Sequence, residues 1–391
     1  MTERTTRSGS KFVKQDGFEV FVPASLPPDP PVATDAQLVA LLSKADVALG
    51  RLDGTIQTVP NPDLFVAMYV RREAVLSSQI EGTQSTLEDL LAIELEPSAP
   101  RLPSDVEEVV NYVHAMTYGL DRLATLPLSK RLIREIHAEL LRSGRGADSR
   151  AGKFRNSQNW IGPENAPIQR ATFVPPPVPQ MHAALDDLER FLNDDHHLPA
   201  LVHVGLAHAQ FETIHPFLDG NGRVGRLLIT FMLVHHGILH RPLLYLSHYL
   251  KQNRAEYYDR LTAVRRQGDW EGWLRFFLRG VAEVAGEATR TARSILSLRE
   301  ANHELIQDSV GVNGLRLLDL LFERPLVNVN LIKDHLRIAF ATANNLVAQF
   351  EEAGLLVEIT GGKRSRIFSY EPYLSLWRDE PIPQPSATAV Q

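Results

Sequence analysis

From about residue 36 to residue 300, apolar side chains return at three- and four-residue intervals almost without a break, as at Leu132, Ile133, Ile136, Leu140 and Leu141. A chain with that period over that length buries its apolar faces by packing helix against helix. The spacing therefore predicts a mainly α protein. It is interrupted at Gly152 to Pro179, GKFRNSQNWIGPENAPIQRATFVPPPVP, which is too polar and too broken for a helix and long for a plain connection. A short β-hairpin flap fits this stretch best.

The two ends read differently. Residues 1 to about 35 are polar and finish in PASLPPDPPVA, whose prolines favour an extended arm laid over a surface. Around residues 309 to 372, helical runs at Gly314 to Glu323, Asn330 to Leu336 and Thr342 to Glu352 precede two strand-like runs flanking Gly361 and Gly362. Three helices followed by a hairpin is the order of a winged helix-turn-helix domain. The expected division is an N-terminal arm and helical segment over 1–109, a helical core over 110–300, a winged-helix domain over 309–375 and a Pro-rich tail over 376–391.

Several classes of function fall away on composition. With no cysteine among 391 residues, disulfides, Cys-ligated zinc, iron–sulfur clusters and thiol catalysis are excluded. There are 41 Lys and Arg against 47 Asp and Glu, a net charge of -6, so no global positive field draws the molecule to nucleic acid or anionic lipid. The longest apolar stretch, Leu227 to Val234, is broken by Thr230 and is far below the roughly 18 residues of a membrane span. The opening residues hold no apolar run of the secretory kind. A cytoplasmic protein without a membrane span is the expectation.

The densest chemical information lies in His215 to Arg226, HPFLDGNGRVGR. It follows the apolar run Leu201 to Ile214, and Pro216 disfavours α geometry for His215, so the helix is expected to stop there and present the imidazole at its end. Asp219, Gly220, Asn221 and Gly222 read as a turn that tolerates positive φ, after which RVGRLLITFMLVHH reads as an apolar helix. Backbone N–H groups at the start of such a helix form an anion site. Arg223 and Arg226 oppose the positive end of the helix dipole and imply a polyphosphate guest. Asp219 can hold Mg²⁺ by one carboxylate oxygen, and His215 can accept a proton near neutral pH.

Taken together these twelve residues resemble the signature of the Fic (Fido-fold) enzymes, His-x-Phe-x-Asp/Glu-Gly-Asn-Gly-Arg-x-x-Arg, with every fixed position matched. The resemblance implies a Fic helical core and transfer of AMP from ATP, with Mg²⁺, to a Ser, Thr or Tyr hydroxyl of a target protein or of the enzyme itself. It implies that His215 is the base and that Phe217 anchors the loop. Asp219 would bind the metal, Asn221 with the backbone of Gly220 and Gly222 the α-phosphate, and Arg223 and Arg226 the outer phosphates. Transfer of another nucleotide or of a phosphoryl group is also compatible with such a loop.

Upstream, SSQIEG at Ser77 to Gly82 resembles the family's inhibitory helix motif, Ser/Thr-x-x-x-Glu-Gly/Asn. A helix from Asn61, with Pro62 in its first turn, to Gly82 would put Glu81 in the last turn and Ser77 one turn earlier on the same face. A carboxylate there is disfavoured by the helix dipole and gains from a cationic partner. The resemblance implies that Glu81 pairs with Arg226 and obstructs the γ-phosphate, and it leaves open a role for Glu81 in removing AMP. By the same resemblance the stretch Arg155 to Met181 is the flap that docks the target by strand addition, and Asn253 and Tyr257 contact the adenosine. The remaining histidines, including His203, His208, His235 and His236, lack metal-site spacing and are expected to be structural.

The winged helix supports a rival reading, a DNA-binding regulator with a nucleotide-sensing Fic domain. Residues 311–370 carry seven Lys or Arg against six Asp or Glu, a thin footprint for DNA. The presumptive recognition helix offers Thr342, Asn344, Asn345 and Gln349 but no basic residue, leaving Lys363, Arg364 and Arg366 of the wing as phosphate contacts. A protein-contact or homodimer role suits it better.

Overall fold

The computed structural model describes residues 4–13, 17–57, 62–96, 103–144, 150–163, 166–194, 197–307, 310–362 and 365–378. Asn61, Lys363, Arg364 and the tail after residue 378 lie outside these residues.

The chain opens with three antiparallel strands, β1 (Arg4–Thr6), β2 (Gly9–Val13) and β3 (Glu19–Pro23), in the order β1-β2-β3. The sequence suggested an extended arm here, and that expectation is corrected. Val20 and Phe21 are both buried although they are adjacent, so β3 is covered on both faces and lacks the alternation that marks a half-exposed strand. Beyond β3 the chain runs through bends, without helix or strand, to α1.

Helices follow almost without interruption: α1 (Ala36–Gln57), α2 (Pro62–Ile80), α3 (Leu87–Leu95), α4 (Val106–Leu123), α5 (Lys130–Leu140), α6 (Val178–Asn193), α7 (Ala200–Ile214), α8 (Asn221–His235), α9 (Ser247–Gln252), α10 (Arg254–Gln267) and α11 (Trp270–Ile306). α7 is buried along its entire length from Leu201 to Ile214, as expected of a helix apolar all round. It packs against α6, α8 and α10, and α8 in turn packs against α4 and α5. Ser129 caps α5 by accepting the Leu132 N–H. The flap between α5 and α6 closes through one bridge, Ile161 with Phe173, around a 3₁₀ turn at Ile168–Arg170.

Two compact units emerge. One comprises residues 1–54, 69–86 and 103–288, and the other 55–68, 87–102 and 289–391. The expected boundary at 109/110 is therefore not a boundary between units, because the N-terminal sheet and the end of α2 belong with the core. The second unit holds α12 (Gly311–Glu323), β4 (Leu326–Val327), α13 (Val329–Leu336), α14 (Phe340–Glu352), β5 (Val357–Glu358), β6 (Phe368–Ser369) and α15 (Glu371–Leu374). Its strands pair antiparallel in the order β4-β6-β5. Among the described residues, no helix is long and apolar enough to cross a membrane.

Candidate active site

The loop between α7 and α8 is built by its own sequence. Pro216 stops α7, and His215 takes the left-handed conformation at φ 50°. Its carbonyl is held by Arg155 Nε at 3.0 Å and more weakly by Asn159 Nδ2 at 3.4 Å. Phe217 is fully buried, with its ring stacked on His137 at a centroid distance of 3.7 Å and 3° between planes. The Gly152 N–H donates to His137 Nδ1, so the proton of a neutral His137 sits on Nε2, which donates to the Asp219 carbonyl at 3.1 Å.

Gly220, at φ 77°, turns the chain into α8, which begins at Asn221. Asn221 and Gly222 thus stand in the first helical turn and not in the turn before it. The Asn221 side chain accepts the Phe217 N–H at 2.8 Å and donates to the Phe217 carbonyl at 2.9 Å. Its amide closes the loop onto Phe217. What remains for an anion is the set of N–H groups that the first turn of any α-helix leaves without intrahelical acceptors.

Both arginines of the segment are buried. Arg223 Nη1 lies 3.0 Å from Glu108 on α4, and its Nη2 approaches Asp219 at 3.7 Å. Arg226 donates through Nε to Ser77 Oγ at 2.8 Å, and through Nη2 to the Ser77 carbonyl at 3.1 Å and Glu81 Oε1 at 2.6 Å. Glu81 lies in the turn just past α2, and Gly82 after it has φ 101°. The carboxylate of Glu81 therefore occupies the mouth of the α8 N-terminus. One turn before Ser77, Glu73 accepts the Tyr112 hydroxyl at 3.2 Å, the Ser247 N–H at 3.1 Å and the Ser247 hydroxyl, seating α2 against α9.

The electrostatics follow from burial and from these pairs. Burial alone would raise the Glu81 pKa, but the charge and hydrogen bond of Arg226 outweigh it and hold the carboxylate below its usual range. For Arg226, burial works against the charge, and Glu81 more than restores it. Burial, then the charge of Arg265, pushes the half-buried His215 down to about 3, so its imidazole is neutral. Glu212, one turn earlier on α7, is pushed up to about 7 by burial, and its Oε1 has no hydrogen-bond partner among the described residues.

The structure brings together Ser77, Glu81, His215, Phe217, Gly220, Asn221, Gly222, Arg223 and Arg226. Asp219, with its side chain 56% exposed, stands at the open side of the loop. Tyr257 is 1% exposed, and its hydroxyl donates to His208 Nε2 at 2.9 Å inside the core, while its neighbour Tyr258 is 40% exposed; the charges of Glu81 and Arg226 act on both. Asn253 joins α9 to α10 and donates to the Tyr249 carbonyl at 3.0 Å. His203 and His208 are structural: His203 donates through Nε2 to the Phe191 carbonyl and meets His236 through Nδ1, and His208 donates through Nδ1 to the Gly225 carbonyl. Sequence reasoning missed Glu73, Glu108, His137, Arg155, Asn159 and Arg265, since each is a long-range partner with no local pattern. Only the polar RNSQN at the start of the flap hinted at Arg155 and Asn159.

Asp219 is the one exposed carboxylate on the loop, and among the described residues no three acidic or histidine side chains gather to hold a metal. A single carboxylate beside a phosphate site suits Mg²⁺, which keeps most of its waters and takes phosphate oxygens.

Residues 39–121 match the family model described as Fic/DOC family N-terminal, and residues 127–233 match the Fic/DOC family. Among curated proteins, protein adenylyltransferase Fic of Drosophila sechellia is 28% identical over 254 residues, 62% of this chain and 46% of that protein. The Drosophila melanogaster protein of the same name gives the same figures. The chain thus spans about half the length of the curated relatives it matches. A solved Fic family protein from Desulfovibrio desulfuricans superposes with a TM-score of 0.56 at 20% identity, covering 87% of this chain and 97% of its own. A Fic domain containing signaling protein from Bacteroides thetaiotaomicron gives 0.51 at 18% identity, covering 66% of this chain and 97% of its own. These likenesses show the fold.

Proposed function

Since the chain belongs to the Fic/DOC family, we propose that it transfers AMP from ATP to a Ser, Thr or Tyr hydroxyl of a target protein. The observation that carries this reading is the placement of a neutral imidazole, His215, at the end of α7 beside the N-terminus of α8, where the Glu81 carboxylate already sits as an anion. The target hydroxyl oxygen attacks the α-phosphorus of ATP, its proton passes to His215, and the bond to pyrophosphate breaks. The N–H groups at the start of α8 and the Arg226 guanidinium stabilise charge that develops on the phosphates. Phosphate charge entering the site opposes that of Arg265 and so strengthens His215 as a base. Asn221, His137 and Phe217 keep the loop in the shape that places these groups. Asp219 would hold Mg²⁺, which when bound neutralises phosphate charge.

In the same reading the enzyme is self-inhibited. Glu81 is an anion already seated on Arg226 at 2.6 Å, so the outer phosphates of ATP must displace it. Ser77 ties the same arginine to the inhibitory helix.

The unit containing α12 to α15 is read as a winged helix that contacts protein. Phe340, Val357 and Ile359 are 54%, 48% and 54% exposed on it, and Arg366 leans on the Phe368 ring at 5.0 Å. Exposed apolar side chains suit a protein partner better than a phosphate backbone.

Incorporation of α-labelled ATP into protein by the wild type, Glu81→Gly and Glu81→Gly/His215→Ala tests the reading. Label should rise with the first change and vanish with the second. Absence of label in every variant, with ATP and Mg²⁺ present, would reject AMP transfer.

A further inference from the structure

Arg223 is a buried cation held mainly at one end. Its side chain is 4% exposed, and its Nη1 lies 3.0 Å from Glu108 Oε2 on α4. Its Nη2 only approaches Asp219 Oδ2, at 3.7 Å, and its Nε has no hydrogen-bond partner among the described residues. Glu108 is therefore the main anchor of this guanidinium. Asp219 is fixed separately, by the Gly220 N–H, which donates to Oδ1 at 2.6 Å.

The helix that carries Glu108 does not account for its position. An acid in the first turn is favoured by the helix dipole, and Glu107, exposed in the first turn of α4, already meets that preference. Glu108 is turned inward and is 4% exposed, where a carboxylate is costly unless it is paired. Glu108 and Asp219 flank one guanidinium, so the formal charges of the three sum to one negative. A carboxylate keeps its charge for a metal ion when the nearest buried cation is neutralised by another group, and loses that advantage when it must pair with the cation itself. Arg150 and Lys153 share a cleft of about 130 Å³ with Asp219, but both are exposed, and water and salt screen them far more than they screen Arg223. The charge of Arg223 also reaches Glu81 at the mouth of α8, so it is felt where the proposed phosphate site lies.

We propose that Glu108 is a positioning residue for the divalent metal: by neutralising Arg223 and holding it off Asp219, it leaves the Asp219 carboxylate available to the Mg²⁺ that accompanies ATP. The proposal rests on the reading of Asp219 as the metal-holding carboxylate of AMP transfer, and adds to it a buried counter-charge on another helix. Without the charge of Glu108, Arg223 closes on Asp219, which weakens metal binding, and its uncompensated charge strengthens the binding of metal-free phosphate. Metal and nucleotide thus respond in opposite directions, which the loss of a merely structural contact does not produce.

The test titrates the full chain carrying Glu81→Gly with α,β-methylene-ATP, whose carbon bridge blocks AMP transfer, by calorimetry in EDTA and again in saturating Mg²⁺. The ratio of the two dissociation constants measures how much the metal helps the nucleotide. Adding Glu108→Gln should tighten binding in EDTA several-fold and cut that ratio about tenfold, roughly 1.4 kcal/mol of coupling. The Mg²⁺ concentration for half-maximal labelling from α-labelled ATP should rise by a similar factor. Glu108→Gln/Arg223→Met removes both charges, and its ratio should return to that of the Glu81→Gly parent. If Glu108→Gln does not fold, the double variant decides. A parent that Mg²⁺ does not help, a ratio untouched by Glu108→Gln, a parallel loss of affinity in EDTA and Mg²⁺, or a double variant whose ratio stays low would overturn the proposal. Labelling by the parent with unchanged ratios rejects the role of Glu108 alone. Ratios that shift as expected while no variant labels protein reject AMP transfer and leave the charge arrangement standing.

Discussion

The Glu81 carboxylate rests on Gly222: a Cβ built on that glycine would stand 2.2 Å from Glu81 Oε1, the oxygen that Arg226 holds at 2.6 Å. The Glu81 side chain thus fills the space that glycine leaves open for an anion at the α8 N-terminus. Gly222→Ala in the Glu81→Gly background should weaken ATP binding about tenfold or more, about 1.4 kcal/mol, because a methyl group then stands where phosphate must approach. Calorimetric titration with ATP and Mg²⁺ checks it, and an unchanged affinity would mean that phosphate does not pass over Gly222.

Ser77→Ala removes the bond from Arg226 Nε to Ser77 Oγ at 2.8 Å but leaves the Glu81 pair in place. Pyrophosphate release should rise several-fold, less than for Glu81→Gly, and the double variant should gain less than the two effects combined, since both residues act on one guanidinium. Full additivity would show that Ser77 acts elsewhere.

Asn221→Ala should cost about 1–3 kcal/mol, because the buried Phe217 N–H loses its acceptor. The Phe217 carbonyl keeps Asn159 Nδ2 at 2.8 Å. Urea unfolding measures the loss, and labelling in the Glu81→Gly background should fall with it. Loss of activity at unchanged stability would instead indicate that the amide touches substrate.

Glu212 provides a pH signature. Burial raises its pKa in the folded protein from 4.5 to about 7, so the folded state binds this proton more tightly than the unfolded state. The stability this contributes is fully present below the unfolded value and is lost as pH rises through about 7. Glutamine cannot ionise, so Glu212→Gln should gain on the wild type between mildly acidic and mildly alkaline pH by about 2 kcal/mol. Melting curves across that range check the sign. Parallel curves would place Glu212 among ordinary carboxylates.

The two adjacent tyrosines should separate cleanly. Tyr257→Phe loses the hydrogen bond to His208 and should lower stability by about 1 kcal/mol with little change in ATP affinity. Tyr258→Ala should weaken ATP binding while hardly moving the melting temperature, since its ring is 40% exposed beside the site. The opposite pattern would return the nucleotide contact to Tyr257.

The helical core, the His215 to Arg226 loop and the helix that carries Ser77 were legible in the sequence because each is dictated locally. Three- and four-residue spacing makes amphipathic helices, Pro216 stops α7, and Gly220 supplies the positive φ that starts α8. Three helices and the strand pair of the C-terminal unit followed from the same signals, although the four-residue helix α15 and the two-residue strand β4 were too short to leave any. Tertiary structure alone decided what the side chains do once helices meet. It turned the Asn221 amide inward onto Phe217, gave Arg223 to Glu108, and sent Tyr257 into the core in place of Tyr258. It also converted the N-terminal arm into a sheet, because Val20 and Phe21 are buried from opposite sides by elements far away in the chain. Backbone conformation is chosen by near neighbours, whereas burial and pairing are chosen by residues far apart in the chain, 149 positions for Ser77 and Arg226 and 174 for Glu73 and Ser247, and no local pattern records them.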